Sequence, residues 1–268
     1  MTPYLIAIDL DGTALYDWQT MTEETIATIK KVKSLGHKVV IATGRPYRSS
    51  KKFYDILELD TPIINYNGAL VQHPFDQGFT EQEKHIPLDA VNQIFNDLEE
   101  HIENAFCEHR ENIFLLNENE AILPLVHPEG GKIISGRFNE TLKLNPHGFI
   151  ILAKPGKNQI IENYIDQKFE GKLNHRNWGG DSSTVIEVYS PETCKGIALE
   201  QLANYYNIPL TKTMAFGDGH NDLEMLKTVE IGVAMANALE EVKNNCKYHT
   251  LSNKEDGVVH FLKEFFHI

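Results

Sequence analysis

Tyr4-Leu5-Ile6-Ala7-Ile8-Asp9-Leu10-Asp11-Gly12-Thr13 decides how the rest of the chain is read. The apolar run Tyr4–Ile8 has the unbroken hydrophobicity of a strand buried on both faces, as in a parallel sheet. Asp9 and Asp11 follow it two residues apart, so in extended backbone their side chains share one side. Like charges this close repel unless a cation or a phosphoryl group uses them. Gly12 allows a sharp turn and a close backbone approach to a ligand. Alone, the pattern also suits a strand end followed by an Asx-turn; its companions further along the chain argue for chemistry.

Outward from that stretch, strand and helix alternate. Thr22-Glu23-Glu24 precedes Ile26, Ile29, Val32 and Leu35, giving an N-cap, first-turn acids and a helical apolar spacing. Lys38–Ala42 reads as a second buried strand ending in Thr43-Gly44-Arg45-Pro46. A helix is predicted over Tyr47–Leu59, and a third strand over Pro62–Ile64. This order implies a parallel sheet with right-handed crossovers. The texture changes between about Thr80 and Tyr189. There a helix is predicted over Pro87–Glu100, and strands over Phe149–Ala153 and Thr184–Tyr189. The α/β rhythm returns with a helix at Lys195–Tyr206 and a strand at Thr213–Phe216 before Gly217-Asp218-Gly219-His220-Asn221-Asp222. The expected architecture is therefore α/β. A three-layer, Rossmann-like core with a parallel sheet comprises residues 1–80 and 191–268, with an inserted α+β domain at residues 81–190.

The 268 residues carry a formal net charge of −13, which disfavours nucleic acid and anionic membranes as partners. An anionic substrate would then need a local cation at its site. Cys107, Cys194 and Cys246 are dispersed and form no C-x-x-C, so neither a disulfide framework nor a zinc knuckle is expected. The histidines are scattered and show no metal-ligand spacing. The N-terminus lacks signal-peptide character and no apolar stretch approaches bilayer length, so a cytoplasmic location is expected.

Ligands of open parallel sheets bind beyond the carboxyl ends of the strands, where the polar segments fall. Asp9 is the candidate nucleophile, since a carboxylate can attack phosphorus and split hydrolysis into two steps. Asp11 is the candidate general acid and base. Backbone N–H groups near Leu10 and Asp11 can hold phosphoryl oxygens. Thr43 and Gly44 offer a hydroxyl and bare backbone for a phosphate, or simply form a polar turn. Arg45 reaches the substrate or makes a surface pair. Lys195, opening a helix, is the candidate local cation, although a lone Lys is usually solvated. Asp9 and Asp218 suit Mg²⁺, which takes oxygen ligands and keeps waters. Asp222 is either a further ligand or a support for Asn221 and Lys195. Gly217-Asp218-Gly219 lacks the third glycine of a dinucleotide turn.

Asp9–Thr13, Thr43-Gly44-Arg45, Lys195-Gly196 and Gly217–Asp222 together resemble motifs I to IV of the haloacid dehalogenase superfamily. Within it the chain is similar to the Cof-type sugar-phosphatase branch, whose large C2 cap lies between motifs II and III. Asn67-Gly68-Ala69, Gly232–Ala238 and Asp256-Gly257-Val258 support the likeness. The resemblance implies Mg²⁺ and hydrolysis of a phosphate monoester through an aspartyl-phosphate. It also implies phosphate contacts from Leu10, Thr43, Gly44, Lys195 and Asn221, and metal binding by Asp9, Asp218 and the Asp11 carbonyl. The leading expectation is a phosphatase acting on a small phosphorylated metabolite. A sugar-phosphate mutase and a non-catalytic sensor of phosphorylated ligands are the alternatives, although a degenerate sensor would be expected to lose Asp9 or Asp11. Selectivity is expected to reside in the insertion, with Asn174–Ser183 as a substrate-facing loop or a surface hairpin turn.

Overall fold

The computed structural model describes residues 3–119, 122–178 and 184–268. In chain order, β1 (Leu5–Ile8), α1 (Glu23–Ser34), β2 (Lys38–Ile41), α2 (Tyr47–Ile56), β3 (Ile63–Asn65) and β4 (Leu70–Gln72) come first. Next are β5 (Gln82–Glu83), α3 (Leu88–Leu98), β6 (Ile102–His109), β7 (Asn112–Leu115), α4 (Leu123–Val126), β8 (Lys132–Ser135) and α5 (Phe138–Thr141). Then follow β9 (Gly148–Ala153), α6 (Asn158–Lys168), β10 (Asn174–Asn177) and β11 (Val185–Tyr189). The chain closes with α7 (Lys195–Tyr205), β12 (Thr213–Gly217), α8 (Leu223–Thr228), β13 (Ile231–Ala234), α9 (Glu240–Asn244), β14 (Tyr248–His249) and α10 (Gly257–Phe266).

These elements form two compact units. The first comprises the chain up to Gly44, Ser50–Gln82 and Cys194–Ile268; the second comprises Arg45–Ser49 and Glu83–Thr193. The divisions thus fall two to three residues beyond the borders expected from composition, and Arg45–Ser49, which starts at the last residue of the second motif, groups with the second unit. Within that unit, the Arg48 guanidinium donates to the carbonyls of Val126 and His127 and pairs with Glu108.

The first unit is built on a parallel sheet of order β14-β13-β12-β1-β2. β1 lies inside it, which is why Leu5–Ile8 is apolar on both faces and fully buried. Ile8 pairs with Phe216 of β12, so the residues just past each strand, Asp9 and Asp218, emerge at the same end of the sheet. The third expected strand, β3, is tied to this sheet by one parallel bridge, Ala42 to Ile64, and pairs antiparallel with β4. Thr22 caps α1 by accepting from the Thr25 N–H at 3.1 Å. The buried face of α1 carries Thr25 and Thr28 beside Ile29 and Val32, while Leu35 is exposed. Among the described residues no helix is long and apolar enough to cross a membrane.

The second unit has a six-stranded sheet of order β10-β11-β9-β6-β7-β8, antiparallel except for the β7–β8 pair. Val91, Ile94 and Phe95 of α3 and Ile161 and Ile165 of α6 join Phe149, Ile151, Ile186 and Val188 in its main core. The start of the segment Asn174–Ser183, expected as a substrate-facing loop or a surface hairpin turn, is an edge strand, β10, paired antiparallel with β11. Its Arg176 pairs with Glu187 at 3.2 Å, and the Trp178 indole N–H donates to the same carboxylate at 3.1 Å. The rest of that loop, residues 179–183, lies outside the described residues.

Candidate active site

Three carboxylates and one ammonium converge at the carboxyl ends of β1 and β12. Lys195, the first residue of α7, is buried, and its Nζ donates to Asp9 Oδ1 at 2.7 Å and to Asp222 Oδ1 at 2.6 Å. The expected local cation is therefore an internal one. Burial opposes its charge, but Asp222 and Asp9 outweigh that and hold the ammonium protonated far above its ordinary range. Asp9 is pushed well up by burial, against the pull of Lys195 and with the push of Asp222, Asp218 and Asp11. Asp218 is pushed up to about 7, by burial first and then by Asp222.

Asp222 supports this geometry through hydrogen bonds accepted by both of its carboxylate oxygens. Its Oδ1 accepts from Lys195, while its Oδ2 accepts the backbone N–H groups of Asp218 and Gly219, each at 3.0 Å. Both oxygens are thus engaged in holding the turn after β12 and aiming the ammonium. Asp218 is held by Thr13 Oγ1 at 3.5 Å and by Asn237 Nδ2 at 3.2 Å. Gly12, at φ +71°, packs so closely that a Cβ there would fall 2.2 Å from Asp218 Oδ2. The space beside Asp218 is therefore reserved.

The donors fit a hard divalent cation. Asp9, Asp218 and Asp222 bring carboxylate oxygens within 4.8 Å of one another, and one ammonium against three carboxylates leaves an uncompensated negative charge. Such a site favours an oxygen-seeking divalent ion. Asp11 is half-buried and close enough to raise both Asp9 and Asp218 electrostatically.

The second motif joins through an asparagine. Asn221 Nδ2 donates to Asn67 Oδ1 at 2.9 Å, and Asn67 Oδ1 lies 3.1 Å from where a Gly44 Cβ would stand. The Asn67 backbone N–H donates to the Thr43 carbonyl at 3.0 Å, and the Thr43 N–H to the Ile64 carbonyl at 2.9 Å. Asn67 adopts φ 56°, an αL conformation that Asn tolerates well. Asn67 and Asn237 appear in the sequence only as parts of supporting stretches; here each links two motifs. Leu10 is buried at the turn, and its carbonyl accepts from the Leu15 N–H at 2.9 Å. Arg45 is buried and groups with the second unit.

Residues 6–262 match the family model of haloacid dehalogenase-like hydrolases. The chain belongs to that family. It is 38% identical over 265 residues to the 5-amino-6-(5-phospho-D-ribitylamino)uracil phosphatase YitU of Bacillus subtilis, covering 98% of each chain. It is 29% identical to a second B. subtilis phosphatase named for the same compound, YcsE, covering 97% of this chain and 95% of that one. A haloacid dehalogenase-like hydrolase of Bacteroides thetaiotaomicron superposes with a TM-score of 0.86 at 25% identity, covering 98% of this chain and all of the other. The protein is thus a phosphatase of the haloacid dehalogenase family, with a parallel α/β core.

Proposed function

We propose that the protein is a Mg²⁺-dependent, cytoplasmic phosphatase that removes the phosphate from a small phosphorylated metabolite through an aspartyl-phosphate on Asp9. The observation that carries this reading is Lys195 set between Asp9 and Asp222, at 2.7 and 2.6 Å. A buried ammonium keeps the Asp9 carboxylate oriented and offers positive charge to an incoming phosphate in a chain whose net charge is −13.

In the first step the Asp9 carboxylate attacks phosphorus, an Asp–O–P bond forms, and the ester P–O bond breaks. Asp11 gives its proton to the leaving alkoxide. In the second step Asp11 takes a proton from water, the resulting hydroxide attacks phosphorus, and the Asp9–phosphate bond breaks to regenerate the carboxylate. Thr43, Gly44, Asn221 and the backbone at Leu10 orient the phosphoryl oxygens together with Lys195. A bound Mg²⁺, held by Asp9, Asp218 and the Asp11 carbonyl, would neutralise charge between the attacking carboxylate and the phosphoryl group.

The 38% identity to a phosphoribitylaminouracil phosphatase over nearly the whole of both chains makes that compound the first substrate to assay. Selection among phosphomonoesters is assigned to the inserted second unit. Phosphate release is measured with Mg²⁺ and no acceptor sugar, across 5-amino-6-(5-phospho-D-ribitylamino)uracil, hexose phosphates and pentose phosphates. The expected result is release that depends on Mg²⁺, is highest in kcat/KM for the first compound, and is abolished in Asp9→Asn. Transfer only to an acceptor sugar would replace hydrolysis by a mutase reaction. A higher kcat/KM for a hexose phosphate would reject the substrate assignment.

A further inference from the structure

His85, His109 and His147 stand far apart in the chain, and all belong to the second unit. Backbone pairing gathers them. β6 and β9 run antiparallel with Glu108 opposite Gly148, and the His147 N–H donates to the Glu108 carbonyl at 2.8 Å. One step further along this register His109 comes opposite His147, and alternation places both on the same face. The Ile86 N–H donates to the Pro146 carbonyl at 2.8 Å, which brings His85 alongside. The ring centroids are 4.8 Å apart for His85–His147, 4.9 Å for His109–His147 and 5.6 Å for His85–His109.

The rings are also oriented. His147 Nδ1 lies 3.2 Å from the Lys84 carbonyl, and His109 Nδ1 lies 3.1 Å from the Asn145 carbonyl. A carbonyl only accepts, so each of these Nδ1 atoms carries the proton and each Nε2 carries the lone pair. A backbone carbonyl behind the ring is the usual support of a metal-bound imidazole. One carboxylate faces the group. Glu83 Oε2 lies 3.0 Å from His85 Nε2 and 3.7 Å from His147 Nε2, while its other oxygen is fixed by the Arg110 guanidinium. A carboxylate at this position repels an anion and accepts from His85 Nε2; an ion displaces that proton, and the oxygen then joins the nitrogen donors. One donor atom from each of the three histidines falls within 4.8 Å of the others.

We propose that His85, His109, His147 and Glu83 bind one divalent first-row transition metal, Zn²⁺ by preference. Imidazole suits Zn²⁺ over the oxygen-seeking Mg²⁺, so this site and the carboxylate site at Asp9 and Asp218 differ in chemistry. The rings stack at interplanar angles of 14°, 21° and 7°. Tetrahedral ligands at ~2.1 Å stand about 3.4 Å apart, so binding turns the rings out of the stack until their lone pairs converge. Four protein donors make a closed, structural site. Its effect is to pin Glu83–His85, where the chain enters the second unit, to the adjoining ends of β6 and β9.

The test uses the full chain without an affinity tag, stripped of metal. Zn²⁺ is titrated in competition with a chromogenic chelator, and Co²⁺ is added in parallel to read coordination from visible absorption. The expected result is one tightly held Zn²⁺, a tetrahedral Co²⁺ spectrum and a raised melting temperature. The half-buried His85→Ala and His109→Ala variants should each weaken binding at least tenfold and lose the Co²⁺ spectrum, whereas Asp218→Asn should keep both. Stripped protein that takes up no Zn²⁺ at 100 µM overturns the proposal. Undiminished binding in the folded His85→Ala and His109→Ala variants overturns it too, because the ion would then sit elsewhere. Neither result bears on the phosphatase reading, which rests on Asp9 and Lys195.

Discussion

The backbone of Gly12 lies against the carboxylate of Asp218, leaving only 2.2 Å between Oδ2 and the place a Cβ would occupy. Two demands meet at this residue, a positive φ of 71° and a space the size of a hydrogen atom. Gly36 meets only the first, with φ +92° and nothing within 4 Å of its Cβ position. Gly36→Ala should therefore cost about 1 kcal/mol and leave turnover unchanged. Gly12→Ala should cost more and lower phosphate release at least a hundredfold, because Asp218 must move. Denaturant midpoints and kcat for the two variants check the pair; equal activities would show that Asp218 tolerates displacement.

Lys195 sits between two buried acids, so Lys195→Met leaves Asp9 and Asp222 without their shared cation. Removing one partner of a buried pair costs about 3–5 kcal/mol, unless the acids take up protons instead. The variant should be inactive and less stable at pH 8 than at pH 6, since raising pH forces charge onto the acids. Lys195→Arg should not restore turnover, because a planar guanidinium cannot place one nitrogen within 2.7 and 2.6 Å of both oxygens. Chemical denaturation at the two pH values, together with kcat, gives the answer.

The core was legible because its demands are local. A strand buried on both faces must be apolar throughout, and acids placed immediately after such strands are conspicuous. Asp9 and Asp218 follow β1 and β12, and the pairing of Ile8 with Phe216 brings them together. Asn67 and Asn237 were less legible, because an asparagine in a turn reads as turn chemistry and their partners, Asn221 and Gly12, lie far away in sequence. In the second unit β10 is Asn-His-Arg-Asn, a polar edge strand with no apolar alternation to reveal it. The histidine group was invisible for a related reason. His85, His109 and His147 have no ligand spacing, and only the β6–β9 register and the bond from Ile86 to Pro146 make them neighbours.

Binding of Mg²⁺ should be coupled to proton release at Asp218. Burial, reinforced by Asp222, holds this carboxyl at about 7 in the metal-free protein, so near neutral pH a proton competes with the ion. Below pH 7 the apparent affinity should fall by up to about tenfold per pH unit; well above 7 it should level off. Asp218→Asn should bind the ion weakly and lose most of this dependence. Calorimetric titrations in buffers of different ionisation enthalpy count the protons released; none released at pH 6.5 would remove Asp218 from the ligand set.

His147 should make the metal-free protein sensitive to acid. Burial pushes its imidazole down from 6.5 to about 4; the Lys84 carbonyl and Glu83 oppose this, while His85 and His109 add to it. The charged form is thus disfavoured in the folded state, and between pH 6.5 and 4 the unfolded chain binds the extra proton. The stabilisation is fully present above pH 6.5 and is lost as pH falls towards 4, a change on the order of 3 kcal/mol. Urea midpoints of chelator-treated protein between pH 7.5 and 4 should follow this slope. His147→Gln, whose amide does not titrate, should reduce the slope whatever its effect on stability at pH 7.5. An unchanged slope in that variant would assign the acid sensitivity to other groups.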